Sequence, residues 1–281
     1  MKKVLITGAN SYIGTSFENW TIENCPEEIS CTTIDMQDPS WRETSFAGFD
    51  CIFHVAGIAH QKETKENEEL YYRVNRDLTE ELAIKAKEDG VKHFVFMSTM
   101  SVYGMDCGVI TPDTKPKPKG FYGKSKWQAE QALAELENES FRIAVLRPPM
   151  VYGRNCKGNF QLMLKLVKKS PVFPDVSNRR SMISVENLCG FVHMVIENGE
   201  SGVFFPQNRE YVNTTEMART IADILGRKVM FSRLAGFAVE AMVPAVGVAR
   251  KAFSSLVYEG CEKHGFCYCK DDFAESIRKS V

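Results

Sequence analysis

The sequence has no long hydrophobic run. The roughly 18 uninterrupted apolar residues that a membrane-spanning helix needs occur nowhere in the 281 residues; the nearest stretch, 234–257, is broken by Glu240, Pro244, Arg250 and Lys251. The opening Met1-Lys2-Lys3-Val4-Leu5-Ile6 meets Thr7, Gly8, Asn10 and Ser11 too soon to hold a secretory h-region. A charge excess is missing as well. The formal net charge is −1, which removes the basic footprint of a nucleic-acid binder, and there is no acidic tail. No internal repeat and no low-complexity tract are present. The nine cysteines form no CxxC pair, and their odd number and scatter suit reduced thiols in the cytosol. Cys261, Cys267, Cys269 and His264 lie close in sequence, but their spacing fits no common zinc pattern, so no metal is expected. What remains is a cytoplasmic chain with no nucleic-acid partner and no stable membrane insertion.

What is present is ample core material, 44% hydrophobic residues, in a chain somewhat large for one compact layer. One main domain with a smaller appendage is expected. Residues 1–150 alternate short apolar runs with helical patterns, which reads as βαβ units around a parallel sheet, an α/β fold. Strands are predicted at 4–6, 29–34, 50–55, 93–97 and 142–146, and helices at 13–24, 70–89 and 122–136. The helix over 70–89 is expected to bury Leu70, Val74, Leu78, Leu82 and Ala86, with Gly90 closing it. Between Asp35 and Asp50 there is room for one modest helical segment but not for helix plus strand, so one βα unit is trimmed. Residues 151–281 read as a mainly separate smaller domain, interleaved with the first and completing a site. It includes a helix over 215–225 capped by Thr214 or Thr215.

Thr7-Gly8-Ala9-Asn10-Ser11-Tyr12-Ile13-Gly14 follows the first strand and opens the first helix. Gly8 permits a tight turn and Gly14 close helix–sheet packing, and the helix N-terminus offers free N–H groups to a pyrophosphate. Asp35, at the end of the second strand, suits an adenosine ribose and repels a 2′-phosphate, which favours NAD over NADP. Its alternative role, against adenine from a later strand, stays open. Tyr122 and Lys126 stand four apart on one helix face. An ammonium beside a phenol stabilises the phenolate, making a general base for a sugar hydroxyl. A YxxxK spacing alone arises often by chance; its place one helix after a strand ending Met97-Ser98-Thr99 makes it informative.

With Phe53-His54-Val55-Ala56-Gly57, Asn75, the 98–104 run Ser-Thr-Met-Ser-Val-Tyr-Gly, Leu146-Arg147-Pro148-Pro149-Met150-Val151-Tyr152-Gly153 and Arg180-Ser181-Met182-Ile183-Ser184-Val185-Glu186-Asn187-Leu188 in that order, the chain resembles the extended short-chain dehydrogenase/reductase family, in its NAD-dependent nucleotide-sugar epimerase/dehydratase branch. The resemblance covers nearly the whole chain. It implies a Rossmann-type doubly wound parallel sheet with a smaller C-terminal substrate-binding domain. By the same resemblance Tyr122 is the base, Lys126 positions it and holds the nicotinamide ribose, and Thr99 hydrogen-bonds the reacting hydroxyl. Gly8, Asn10, Ser11, Tyr12, Ile13, Gly14, Asp35, Ala56, Gly57, Asn75, Ser98 and Pro148 line the cofactor. Arg180 faces the substrate diphosphate. Apart from the resemblance, Asn159 is a further candidate for that diphosphate, and His60 also lies where it could reach the substrate.

The departures from the family pattern narrow the activity. Ser11 stands at the usual middle glycine. Met100 and Ser101 replace the acidic pair of sugar 4,6-dehydratases; neither can supply the acid and base that water elimination needs, so a dehydratase is not expected. Met150 replaces an asparagine that usually contacts the diphosphate. The expected activity is NAD-dependent 4-epimerisation of a nucleotide sugar, a UDP-hexose, through a 4-keto intermediate. The alternatives are an NAD(P)H-dependent 4-ketoreductase of a nucleotide deoxy-sugar and, in a different class, a non-catalytic dinucleotide-binding sensor. A homodimer is expected. The apolar residues of 234–257 are expected to form two short helices, broken near Pro244 and packed over the substrate domain. Their arrangement, followed by Leu256-Val257-Tyr258, is similar to that of bacterial 4-reductases of deoxy-amino-sugar synthesis.

Overall fold

Val4, Leu5, Ile6 and Thr7 are buried one after another, which a strand achieves only where both faces of its sheet are covered. The computed structural model describes every residue except 60, 244–246 and 262–264; His60, Pro244 and His264, which figure above, lie outside the described residues. In chain order the first half runs β1 (Lys2–Thr7), α1 (Tyr12–Asn24), β2 (Ile29–Ile34), β3 (Cys51–His54), α2 (Glu68–Tyr72), α3 (Leu78–Glu88), β4 (His93–Met97), β5 (Gly108–Ile110), α4 (Phe121–Leu136) and β6 (Arg142–Leu146). There follow β7 (Met150–Tyr152), α5 (Asn159–Lys169), β8 (Val172–Pro174), β9 (Met182–Ser184), α6 (Val185–Asn198) and β10 (Gly202–Phe204). The chain ends with α7 (Thr214–Ile224), β11 (Met230–Ser232), α8 (Arg233–Met242), α9 (Gly247–Phe253), β12 (Leu256–Tyr258) and α10 (Phe273–Ser280).

The chain forms two compact units. The first comprises Met1–Gly104, Lys115–Pro148 and Cys189–Pro206; the second comprises Met105–Thr114, Pro149–Leu188 and Gln207–Val281. The first unit holds a six-stranded, all-parallel sheet in the order β2-β1-β3-β4-β6-β10. Strand order reverses at β1, so the C-terminal ends of β1 and β3 diverge into a crevice where such sheets bind ligands. β2 is an edge strand, and accordingly its Thr32 and Thr33 are exposed.

The trimmed unit is real. Between β2 and β3 the described chain makes only a short 3-10 turn, Pro39–Arg42, capped by Asp38. Trp41 and Phe46 from this segment are buried, stack at 6.5 Å, and join Leu5, Ile52, Leu82, Ala83 and Ala86 in one core cluster. Two aromatic rings thus fill volume that a further strand and helix would otherwise cover.

The helix expected over 70–89 departs from its predicted face. A π-helical turn, Arg73–Asp77, separates α2 from α3 and absorbs one extra residue. The buried positions are Tyr71, Asn75 and Thr79, then Leu82, Ala83 and Ala86, whereas Leu70, Val74 and Leu78 are only half-buried. The cap of α7 is also corrected: Asn213 accepts from the N–H groups of Thr215 and Glu216, at 2.8 and 3.0 Å, while the Thr214 and Thr215 hydroxyls bond elsewhere. In the second unit, α8 and α9 are the two short helices expected, but Leu256 and Val257 belong to β12, paired in parallel with β5. α8 is not packed over as expected: Gly236 is its one buried residue, and Leu234, Phe237 and Met242 are exposed.

One stability consequence follows from burial alone. His93 is buried on β4, its Nε2 2.8 Å from the carbonyl of Glu200, and burial lowers its pKa to about 4. The unfolded chain protonates this imidazole near pH 6.5 and the folded chain does not, so stability is level above that pH and falls as pH drops toward 4. The expected loss from this group is about 2 kcal/mol between pH 7 and pH 5. Urea unfolding at the two pH values, in the parent and in His93→Asn, measures it; an equal loss in both proteins would refute the assignment.

Candidate active site

α4 begins where a carboxylate holds it. Its N-cap is Gly120, which offers no side chain; instead Glu63, from the segment after β3, accepts from the N–H groups of Phe121 and Tyr122 at 2.9 and 3.0 Å. A Cβ on residue 120 would meet the Glu63 Oε2 at 2.5 Å, so glycine is what admits the acid. The carboxylate satisfies two orphan donors and complements the helix dipole at the turn that carries Tyr122.

From that turn Tyr122 comes near the Thr99 hydroxyl, just past the end of β4, closely enough for that hydroxyl to favour the phenolate. Burial pushes the Tyr122 phenol above its ordinary pKa of 10; the Thr99 hydroxyl pulls the other way and nearby Tyr71 adds to the rise. Thr99 also caps the 3-10 turn Met100–Tyr103, accepting from the Ser101 N–H at 3.1 Å. One helical turn on, Lys126 is buried. Its Nζ donates to the Met97 carbonyl at 2.9 Å and sits 4.5 Å from the Phe96 ring centre. Burial lowers its pKa to about 7, opposed by the negative charge of Glu130. An ammonium has three donors, so this carbonyl leaves capacity for ligand hydroxyls.

The cofactor-lining residues expected from the sequence cluster around the β1/β3 crevice. Gly8 (φ +108°) makes the turn after β1, and Asn10 adopts φ 60°. Ser11, in place of the usual middle glycine, caps α1: its Oγ accepts from the Gly14 N–H at 3.2 Å. Ala56 and Gly57 follow β3. A Cβ on residue 57 would lie 2.9 Å from Asn75 Oδ1 and 3.2 Å from Lys126 Nζ, so the backbone there passes directly over both groups. Asn75, at the centre of the π turn, clamps Ile58 by accepting from its N–H at 2.8 Å and donating to its carbonyl at 3.1 Å. The bulge is what turns this amide onto the segment after Gly57. Pro148 lies beside the site, its carbonyl accepting from the Met100 N–H. Asp35 ends β2, exposed, with its carboxylate on the Gln37 N–H.

Other expected residues stand apart from this cluster. Ser98 gives its hydroxyl to the buried carboxylate of Glu130 and so points into the protein. Asn159 and Arg180 belong to the second unit. Asn159 is the first residue of α5, whose N-terminal turn borders an open groove of about 570 Å³ lined by Asn155, Lys157, Gly158, Gln161 and Lys165 among others. Arg180 is half-buried, donates to the Ser254 carbonyl at 2.8 Å, and has its pKa lowered by burial, against the pull of Asp106.

Two buried networks were not foreseen. Arg147 binds Glu130 through Nη2 at 2.5 Å and Nε at 3.1 Å, and Tyr103 through Nη1 at 2.7 Å. Glu130 is four residues after Lys126, the one signal that could have found it. The second is a chain of hydroxyls and an imidazole: Thr7 Oγ1 and His54 Nδ1 are 2.6 Å apart, His54 Nε2 and Thr79 Oγ1 2.9 Å, and Thr79 donates to the Asn75 carbonyl. Because Thr79 donates onward, it accepts from His54 Nε2–H, and Nδ1 accepts from Thr7. Burial, then the Lys126 charge, hold the imidazole pKa well below 6.5, so it stays neutral and ties β1 and β3 to the π turn.

The family model described as the NAD dependent epimerase/dehydratase family matches residues 4–211. The chain is 30% identical to the UDP-glucose 4-epimerase of Vibrio cholerae, over 80% of this chain and 76% of that one. It is 27% identical to the N-acetyl-α-D-glucosaminyl-diphospho-ditrans,octacis-undecaprenol 4-epimerase of Escherichia coli O157:H7, over 80% and 73%. Among solved structures, the UDP-glucuronic acid 4-epimerase of Bacillus cereus in complex with NAD superposes with a TM-score of 0.77 at 16% identity, over 99% of this chain and 97% of that one. At that identity the likeness establishes the fold.

Proposed function

From the premise that the chain belongs to the NAD-dependent epimerase/dehydratase family, we propose that it is an NAD-dependent 4-epimerase of a UDP-hexose, working through a 4-keto intermediate. The observation that carries this reading is Tyr122 beside the Thr99 hydroxyl with Lys126 buried one turn further on, its Nζ held on the Met97 carbonyl. Both hydroxyls can address a single sugar oxygen. Thr99 orients it and Tyr122 takes its proton, then returns a proton when the hydroxyl is restored. Lys126, charged, stabilises the phenolate and offers its remaining N–H groups to ribose hydroxyls.

The crevice suits a dinucleotide: the capped N-terminus of α1 beside Gly8, Asp35 at the end of β2, and the bare Gly57 backbone over Lys126 are the features such a ligand requires. Bound there, NAD supplies the hydride acceptor and donor for C4. Gly8, Asn10, Ser11, Tyr12, Ile13 and Gly14 hold its pyrophosphate side, and Ala56, Gly57, Asn75 and Pro148 its nicotinamide side. In this reading Asn159 and Arg180 bind the sugar nucleotide's diphosphate. No 4,6-dehydration is part of it: Met100 is buried, and the Ser101 hydroxyl is bonded to Thr99. We place the enzyme in the cytoplasm, supported by an odd number of scattered cysteines with no CxxC pair, a pattern that suits reduced thiols, as a homodimer.

The test is incubation with UDP-glucose or UDP-galactose and catalytic NAD, followed by NMR of the sugar. Inversion at C4 without net cofactor consumption is expected. Stoichiometric oxidation of reduced cofactor by a 4-keto sugar would replace the reading with a ketoreductase, and a product lighter by one water would replace it with a dehydratase. In the same assays NAD(H) binds more tightly than NADP(H), and Asp35→Ala narrows the gap; a native preference for the phosphorylated cofactor would refute the role of Asp35.

A second reading of the substrate is favoured by the exposed apolar side of α8. The E. coli relative is named for a sugar carried on undecaprenyl diphosphate, and C4 chemistry is indifferent to what lies beyond the diphosphate. Parallel assays with GlcNAc-diphosphoundecaprenol in detergent decide between the two carriers.

A further inference from the structure

Helix α8 turns its apolar side to solvent. Leu234 is 83% exposed, Phe237 69% and Met242 48%. Ala238 and Ala241 are exposed as well, so positions i, i+3, i+4, i+7 and i+8 form one stripe along the helix. Gly236, two residues on from Leu234 and so on the opposite side, fastens the helix to its own unit. A Cβ there would stand 2.0 Å from the Asp175 carbonyl oxygen, an approach only glycine allows. The stripe therefore points away from the unit that carries it. Single exposed apolar residues are ordinary; a contiguous stripe marks a contact surface.

Charge indicates what that surface meets. Between Gly226 and Phe253 the chain carries Arg227, Lys228, Arg233, Arg250 and Lys251 against the single acid Glu240, in a protein whose net charge is −1. Among the described residues none of these five cations forms an ion pair. Glu240 is turned to the Ser177 N–H at 3.5 Å. A second copy of the chain is a poor occupant, since a twofold contact sets a patch against itself and would bring together two sets of exposed cations, Arg227, Lys228, Arg233 and Lys251. A short apolar stripe with basic flanks suits the headgroup layer of an anionic bilayer, where rings and aliphatic chains enter the acyl boundary and cations meet phosphate.

We propose that α8, with the basic residues around it, is a peripheral docking surface for an anionic phospholipid membrane. The proposal rests on this surface alone and holds for either carrier of the sugar. The full-length protein is floated with vesicles of equal phosphatidylglycerol and phosphatidylcholine, and with phosphatidylcholine alone. It should float with the first and not the second, and release as salt is raised. Lys228→Glu with Arg233→Glu should weaken partitioning by about tenfold or more. Leu234→Ser with Phe237→Ser should abolish it, leaving thermal melting and solution turnover at parent values. Absence of flotation with anionic vesicles, or unchanged flotation of the Leu234/Phe237 variant, would overturn the proposal. So would a dimer that this variant dissociates in sedimentation runs without any vesicle binding, which would assign the stripe to a second copy.

Discussion

Tyr122→Phe turns over its substrate at least about a hundredfold more slowly than the parent, the low end for loss of a general base. The substitution removes one oxygen and keeps the ring. Thr99 keeps its bonds to Ser101, and the Glu63 cap is on backbone N–H groups, so α4 should start where it did. The lost interaction serves the reacting oxygen, so kcat should fall with little change in KM. The effect is large because the phenol is set to need its neighbours. Burial raises its pKa and lowers that of Lys126 to about 7, so burial opposes the charged form of both groups. Initial rates with a saturating sugar nucleotide, beside a thermal melt, measure the effect. Turnover near the parent value in a folded variant would remove Tyr122 from the chemistry.

Breaking the buried pair beneath the site should be the largest single loss of stability. Glu130→Ala, or Arg147→Met, leaves a charge buried without its main partner, for which the cost is about 3–5 kcal/mol. Glu130 anchors both Arg147 and Ser98, and Arg147 retains only Tyr103 among its bonds described above once the acid is gone. Glu130→Leu combined with Arg147→Met removes both charges and should lose markedly less than the two single changes together. Urea unfolding of the three variants gives the comparison. Additive losses would mean the two residues act separately. Glu130→Ala should also lower the Lys126 pKa further, since the acid's charge is what raises it.

Much of the first unit was legible in the sequence. β2, β4 and β6 begin and end where the sequence pattern places them, because turn residues bound each run, and β4 and β6 are buried nearly throughout. The trimmed unit was legible from chain length alone: fifteen or so residues cannot hold a helix and a strand. Tyr122 and Lys126 were legible because helical spacing is fixed. The π turn was not, since one absorbed residue changes the helix's phase without altering its composition, and the predicted Leu70-Val74-Leu78 face moved to Tyr71-Asn75-Thr79. Glu63 was not, because a cap supplied from a distant segment has no local spacing. For α8 the pattern showed an apolar side but could not show whether anything covers it.

The interleaving of the two units bears on how the chain is made. On a ribosome the sheet stays open at β10 until Gly202–Phe204 has emerged. β5, delivered early, must wait for its pairing partner β12, with Gly108 opposite Leu256. Neither unit can close as a contiguous N-terminal piece, so synthesis passes through a long interval in which paired and unpaired strands coexist. Exchange of the second unit between relatives would likewise require three separate segments to move together, 105–114, 149–188 and 207–281.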